Sequence, residues 1–234
     1  MSNNNNMIPS GNLVYRFVKR TFDIICSLIL MIPIGLIILI STIAIKFEDR
    51  GTVFYKAERI GRFGIPFKMF KLRSMKVNAP DLRMADGSTY NGDDDPRVTA
   101  FGRFARKTSI DELPQIINVL KGDMSFIGPR PDTTMYLDKY TDEERIILTV
   151  RPGITGYNQA LNRNAVLTKE KLKNDVYYVK HLSIVFDIKI IFMTIATVLG
   201  HKNINRDSTD INKTYVLSDN QEDSLKNDKI KETL

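Results

Sequence analysis

The stretch Ile24-Ile25-Cys26-Ser27-Leu28-Ile29-Leu30-Met31-Ile32-Pro33-Ile34-Gly35-Leu36-Ile37-Ile38-Leu39-Ile40-Ser41-Thr42-Ile43-Ala44-Ile45 decides how this chain is built. It holds no charged residue and is long enough to cross a hydrocarbon core as one helix. It is longer than the apolar region of a signal peptide, and Lys46-Phe47-Glu48-Asp49-Arg50 offers no small-residue cleavage site. Arg16, Lys19 and Arg20 precede the run; Lys46, Arg50, Lys56 and Arg59 come after it. Lysine and arginine gather on the cytoplasmic side of a membrane segment, so a spanning helix would place one cluster on the wrong side. A re-entrant helix, entering and leaving by one face, keeps both clusters together. Pro33 lies near the centre, where a missing backbone donor and a ring clash bend or break a helix. Spanning and re-entrant geometries fit the residues equally well.

Outward from this run, Leu13, Val14, Phe17 and Val18 recur at helical spacing among basic residues, an interfacial lead-in to the membrane segment. Residues 1–11 are polar and asparagine-rich and are expected to be disordered. The remaining boundaries are 12–50 for the lead-in and membrane helix, 51–200 for a folded domain, and 201–234 for a polar, mobile tail. The net charge of +7 over 234 residues points to an anionic partner: phosphate, acidic lipid or nucleic acid. The apolar run and the lack of any nucleic-acid motif argue against the last. The single cysteine, Cys26, excludes an intramolecular disulfide, and His181 and His201 are too few and too far apart for a zinc site.

Within the folded domain, Thr52–Tyr55 and Phe67–Arg73 read as short strands joined through Gly61-Arg62-Phe63-Gly64, a β-hairpin. Phe101–Lys107 reads as a basic helix, and Ile116–Leu120 as a second, closed by Gly122. Thr141–Val150 is a third, with Thr141 and Glu144 spaced as a capping box. Leu167–His181 and Phe186–Leu199 complete the set, the last suited to the core or the interface. Asn78–Arg97 is expected to be a polar loop. The fold class is therefore mainly α with a small β-hairpin (α+β): a compact cytoplasmic domain with interfacial amphipathic helices, packed on the N-terminal membrane helix.

The chemistry centres on Thr108-Ser109-Ile110-Asp111-Glu112-Leu113-Pro114-Gln115 and Gly128-Pro129-Arg130-Pro131. Ser109 and Glu112 have capping-box spacing, and acidic residues suit a helix's first turn, so a structural role accounts for both carboxylates. Against it, a helix starting at Ser109 would carry Pro114 inside, whereas Pro114 at the first helical position leaves Asp111 and Glu112 just before the helix and free to face a site. Arg130, stiffened by two prolines, suits bidentate phosphate recognition or a plain surface loop. Lys71 and Arg73 alternate along a strand and share one face, a phosphate site or a solvated edge. Arg103, Arg106 and Lys107 suit anchoring to anionic lipid.

Asp-Glu-Leu-Pro-Gln followed by Gly-Pro-Arg-Pro resembles the bacterial sugar transferase family, small membrane-associated phosphoglycosyl transferases. Asp95-Pro96-Arg97-Val98-Thr99, Gly102, Arg106 and Ser109, the segment Phe67–Met75 and the loop Arg151-Pro152-Gly153-Ile154-Thr155-Gly156 fit the same pattern, from about Lys19 to Gly200. The Asn-rich start, Asp93–Asp95 and the tail depart from it. The resemblance implies a re-entrant membrane helix kinked at Pro33 on the cytoplasmic face of the bacterial inner membrane. It implies transfer of a sugar 1-phosphate from a UDP-sugar to undecaprenyl phosphate with release of UMP, the first membrane step of a capsule, exopolysaccharide, O-antigen or glycoprotein glycan. Asp111 matches the nucleophile that carries the phosphosugar and Glu112 its catalytic partner. Arg130 matches a phosphate-binding arginine, with Lys71, Arg73 and Arg106 as further substrate-binding residues. Mg2+ would be held by Asp111 and substrate phosphates. Expected partners are the donor, undecaprenyl phosphate and anionic membrane lipid, and a homo-oligomer is compatible with the sequence. The rival reading is a non-catalytic module whose basic face binds anionic lipid.

Overall fold

The computed structural model describes residues 7–83, 95–162 and 168–199, with the backbone of 216–217. Most of the polar loop expected over Asn78–Arg97 and almost all of the expected tail lie outside these residues. So do the first six residues.

Helix α1 (Leu13–Asp49) runs unbroken through the lead-in and the apolar stretch, with Pro33 inside it. Its start is capped by Asn12, whose side chain accepts from the Tyr15 amide at 2.8 Å. It stops at Arg50, in the left-handed region at φ 57°. Leu28, Ile29, Ile32, Leu36, Leu39 and Ile40 in its middle are exposed, so this part finds no apolar cover among the described residues. Both ends are fastened to the adjoining domain. Near the start, Arg20 donates to the Val119 and Leu120 carbonyls at 2.6 and 2.8 Å, and buried Asp23 accepts from Ser125 Oγ and the Phe126 amide, each at 3.0 Å. Near the finish, Glu48 accepts from the Phe101 amide at 3.1 Å, and Asp49 pairs with both terminal nitrogens of Arg73.

The expected hairpin forms, but its first strand runs on to the turn and does not stop at Tyr55: β1 (Phe54–Ile60) and β2 (Pro66–Leu72) are antiparallel, with Tyr55 opposite Lys71 and Ile60 opposite Pro66. Between them Arg62–Gly64 makes a 3-10 turn in which Phe63 takes φ 62°. A short strand β3 (Leu82–Arg83) pairs with β6 (Val216–Leu217). Then come α2 (Ala100–Thr108), α3 (Gln115–Lys121), β4 (Ser125–Ile127), β5 (Gly153–Thr155), α4 (Tyr157–Asn162), α5 (Thr168–Lys180) and α6 (Ile184–Leu199). Strands β4 and β5 pair in parallel. Asn118, buried within α3, ties that helix to β2: its Oδ1 accepts from Phe70 N and its Nδ2 donates to the Lys68 carbonyl, both at 2.9 Å. Ala57, Met69, Val119 and Met124 fill the space between.

Two expectations need correction. The capping box at Thr141 forms, with the Thr141 amide donating to Glu144 at 2.8 Å, but it opens a 3-10 stretch, Glu144–Thr149, and no α-helix. Ile146, Ile147 and Thr149 are β-branched, and Pro152 pushes the residue before it to extended backbone, so an α-helix has no room to propagate. At the N-terminus, Met7 and Ser10 make contacts where disorder is expected: Ser10 Oγ lies 2.7 Å from Thr149 Oγ1, and Met7 packs on the Tyr140–Leu148 core, while Ile8 stays exposed.

Helix α6 buries Asp187 and Ile190 on one side and exposes Val185, Ile188, Phe192 and Ile195 on the other. The first turns of α1 likewise expose Leu13, Val14 and Phe17. Both are amphipathic faces suited to a membrane surface.

The core also holds a titratable group. Asp175 on α5 is buried beside Lys171 at 3.4 Å, while Lys171 makes its closer contact, 2.6 Å, with Asp132. Burial pushes the Asp175 carboxyl up to about 7, with Lys171 opposing and Asp132 adding to the rise. The folded state therefore holds this proton more tightly than the unfolded chain, and the associated stability, on the order of 4 kcal/mol, is full below about pH 4 and lost as pH rises through about 7. Asp175→Asn is expected to flatten this dependence. Unfolding midpoints at pH 5 and pH 8 should differ less in the variant than in the parent; equal differences would contradict it.

Candidate active site

Helix α2 ends at Ser109, which takes the left-handed region at φ 60°. For a non-glycine residue this is a strained conformation of the kind kept at functional sites. It turns the chain into a single 3-10 turn, Ile110–Glu112, after which Pro114 leads into α3. The carboxylates thus sit before the helix, as the placement of Pro114 predicts. The capping-box reading fails: the Ser109 side chain makes no capping bond. Glu112 points away to Lys71 Nζ at 2.8 Å and to Arg130, whose two terminal nitrogens donate at 2.5 and 3.1 Å.

Arg130 is presented by a backbone cradle. The Gly128 amide donates to Thr155 O at 2.8 Å, the Gly153 amide to Pro129 O at 2.9 Å, and Ser125 N to Pro152 O at 2.9 Å. The two loops pack backbone against backbone. A Cβ on Gly153 would lie 2.2 Å from Gly128 N, and one on Gly156 2.1 Å from Gly128 O. Only glycine permits that approach, so the Arg-Pro-Gly-Ile-Thr-Gly loop is the buttress of the Gly-Pro-Arg-Pro loop. Arg106 is aimed by Ser74, whose Oγ accepts from its Nε at 3.0 Å. Ser74 is itself seated against Gly102, where a Cβ would meet Ser74 O at 2.0 Å.

Asp111 is 8% exposed and, among the described residues, accepts no hydrogen bond and forms no ion pair. It feels the charges of Lys71, Arg130 and Arg106 all the same. Burial pushes its carboxyl up, Lys71 pulls it back, Glu112 adds to the rise, and the balance is a raised proton affinity. Glu112 goes the other way. Burial alone would raise it, but Arg130 and Lys71, by charge and by hydrogen bonds, hold it well below the usual carboxylate range. One carboxylate is clamped and permanently charged; its neighbour is unbonded and more basic. Environments that push adjacent carboxyls apart assign them different tasks.

Arg73 departs from the expected arrangement. Lys71 reaches Glu112, but Arg73 lies just past the end of β2. It bonds Asp49 of α1, the Thr52 carbonyl and, at 3.3 Å, the Met75 carbonyl. These bonds latch the end of α1 to the hairpin and hold Arg73 apart from the Glu112 clamp that Lys71 joins. Ser74 and Asn118 carry roles that sequence reasoning misses; a polar residue inside Ile116-Ile117-Asn118-Val119-Leu120 is the available signal for the second. Asp132 is engaged by Tyr140 and Lys171, and Asn158 by Asn162 and Asn174. Residues 163–167 fall outside the described part.

Among the described residues no three carboxylate, histidine or cysteine side chains gather around one point. Both Glu112 oxygens are taken by cations, which leaves the Asp111 carboxylate as the free hard donor. That fits Mg2+, which keeps several waters and binds through one or two carboxylates plus substrate phosphates.

A basic unbonded carboxylate and a fixed counter-charge, with cations on a strand (Lys71), a helix (Arg106) and a buttressed loop (Arg130), make a set of side chains suited to phosphoryl transfer. The chain belongs to the bacterial sugar transferase family, whose sequence model matches residues 14–201. It is 40% identical over 195 residues to the undecaprenyl-phosphate galactose phosphotransferase of Salmonella typhimurium, covering 79% of this chain and 41% of that protein. It is 40% identical over 190 residues to the UDP-glucose:undecaprenyl-phosphate glucose-1-phosphate transferase of Escherichia coli, covering 78% of this chain and 40% of the other. With the sugar transferase EpsL of Bacillus subtilis it shares 39% identity over 189 residues, 81% of this chain and 91% of that one. The chain thus spans less than half the length of the first two relatives and most of the third.

Proposed function

We propose that this chain transfers a sugar 1-phosphate from a UDP-sugar to undecaprenyl phosphate, in two displacements at one phosphorus. The observation that carries the reading is the division of labour between Asp111 and Glu112. An Asp111 oxygen attacks the β-phosphorus of the donor, the bridging P–O bond breaks, and UMP leaves with the bridging oxygen. The phosphosugar is then an acyl phosphate on Asp111. A phosphate oxygen of the acceptor attacks the same phosphorus, the bond to Asp111 breaks, and undecaprenyl diphosphate sugar forms. Arg130, Lys71 and Arg106 supply charge around the phosphoryl oxygens from fixed positions, where preorganised cations stabilise the transition state most. Mg2+, bound at Asp111 and the diphosphate, would add charge neutralisation. The names of the relatives supply the donor and acceptor classes, and with them an early membrane step of surface-glycan assembly.

The test is UMP release by the purified full chain with Mg2+, undecaprenyl phosphate and a panel of UDP-sugars. Release with one donor supports the reading. No release from any donor favours the alternative, a non-catalytic lipid-binding module.

The membrane geometry we propose is re-entrant, with both basic flanks on the cytoplasmic face. It is supported by the attachment of both ends of the apolar stretch to one domain through Arg20 and Asp23 at the start and Asp49 at the finish. Single cysteines near Tyr15 and near Thr52, in a Cys26→Ser background, are expected to react with an impermeant thiol reagent only from the cytoplasmic side. Labelling of either from outside would make the helix spanning.

A further inference from the structure

A small cavity lies beneath the first turns of α1. Its wall carries Arg16 from α1, Arg62 from the hairpin tip and Arg151 from the buttress loop, with Lys19, Asp23 and Ser125 beside them. The charges there are not balanced. Lys19 is taken by Asp187 at 2.7 Å, and Asp23 by Ser125 and Phe126. Among the described residues Arg16, Arg62 and Arg151 form no ion pair. Arg151 donates its Nε to the Gly122 carbonyl at 2.8 Å, and Arg16 Nε is buried with no hydrogen-bond partner. The arginines also work against one another. Burial and then Arg16 lower the proton affinity of Arg62; burial, Arg62 and Arg20 lower that of Arg151, with only Asp23 opposing.

All three arginines are partly buried; like charges drawn together in such a place without a counter-ion are costly, and a fold keeps them where an anion completes the set. Planar guanidinium forks match phosphate oxygens. We propose that Arg16, Arg62 and Arg151 form a second anion site that takes a phosphate group. The site is separate from the reaction centre. Arg62 is at the tip of the hairpin and Lys71 near its open end, and the strand from Pro66 to Lys71 alone spans roughly 17 Å. Leu13, Val14 and Phe17 on the same turns of α1 face outward and apolar, which puts the cavity just under an interfacial helix, within reach of a lipid headgroup. A free phosphate in solution offers the same chemistry.

The experiment compares the full chain with Arg16→Gln/Arg62→Gln, which keeps Lys71, Arg106 and Arg130, so any response of the reaction centre is common to both. Thermal unfolding is monitored in neutral detergent with inorganic phosphate, and in nanodiscs of phosphatidylcholine with or without about one-fifth phosphatidylglycerol. Without an anion the variant is expected to melt no lower than the parent. Near ten times the dissociation constant, the parent should gain ~3–6 °C more than the variant. A differential gain with phosphatidylglycerol assigns the site to lipid; one with inorganic phosphate alone assigns it to a soluble anion. Equal gains in both proteins would overturn the site. So would a variant, and Arg62→Gln alone, that fail to fold without anion, because the arginines would then stabilise the free fold and not strain it.

Discussion

Asp111→Asn is expected to abolish UMP release, by on the order of 10⁴-fold or more, while membrane association and thermal stability stay close to the parent. The size of the loss follows from the proposed role: an amide oxygen in place of a nucleophilic carboxylate cannot form the acyl phosphate, and removal of a covalent catalyst leaves only what positioning and charge provide. The neutrality for the fold comes from the environment. Asp111 is buried, makes no hydrogen bond among the described residues, and has its charged form disfavoured chiefly by that burial. A neutral side chain of the same shape therefore leaves no buried partner unpaired. The clamp of Glu112 on Lys71 and Arg130 involves no Asp111 atom, so the phosphate-binding frame should persist. With a donor labelled in the sugar, the parent should carry label on the protein before acceptor is added, and the variant none. UMP release by Asp111→Asn within tenfold of the parent would remove Asp111 from the covalent role and require another nucleophile.

How much of the molecule is legible in the sequence depends on the range of the interactions. The apolar stretch, the hairpin turning at Gly61–Gly64 and the stop of α3 at Gly122 are local features, set by hydropathy and backbone freedom within a few residues, and all three appear where expected. The position of Asp111 and Glu112 ahead of Pro114 is also local, because proline restricts what can precede a helix. The choice between cap and site for Glu112 is not. Its partners are Arg130, 18 residues on, and Lys71, 41 residues back, and neither separation leaves a periodic trace. The contacts of Arg73 escape sequence for the same reason. Strand alternation puts it on a face with Lys71, but Asp49 at the end of α1 competes for it once the chain is folded. The β4–β5 pair has three-residue strands, too short for alternation to register. Its signature is instead the glycines that let two loops touch, legible in sequence as a rigid loop with no partner in view.

Glu112→Gln tests the fixed counter-charge, with an expected loss in kcat of about 10²–10³-fold. Glu112 does not carry the proton. Its affinity for one is held so low by Arg130 and Lys71 that it is ionised at every working pH; the stability from this clamp is present above the normal carboxylate range and disappears only as pH falls through the depressed value. Its charge must therefore act on its neighbours. With the charge gone, two partly buried cations lose their counter-ion, at a cost of roughly 1–3 kcal/mol in stability, and the nearest anion left to them is Asp111. Pairing with Lys71 or Arg130 would lower the proton affinity of Asp111 and with it the nucleophilicity, in two ways at once: by attraction to the cations and by removal of the negative neighbour that raises it now. The acid limb of the pH–rate profile should accordingly move to lower pH in Glu112→Gln as the maximum rate falls, a displacement that simple loosening of the fold would not produce. Lys71→Met should cost the Glu112→Gln protein less than it costs the parent, since the pair acts as a unit. A variant that keeps more than half of the parental rate, or loses rate with its acid limb unmoved, would show that Asp111 does not depend on Glu112 to keep the cations away.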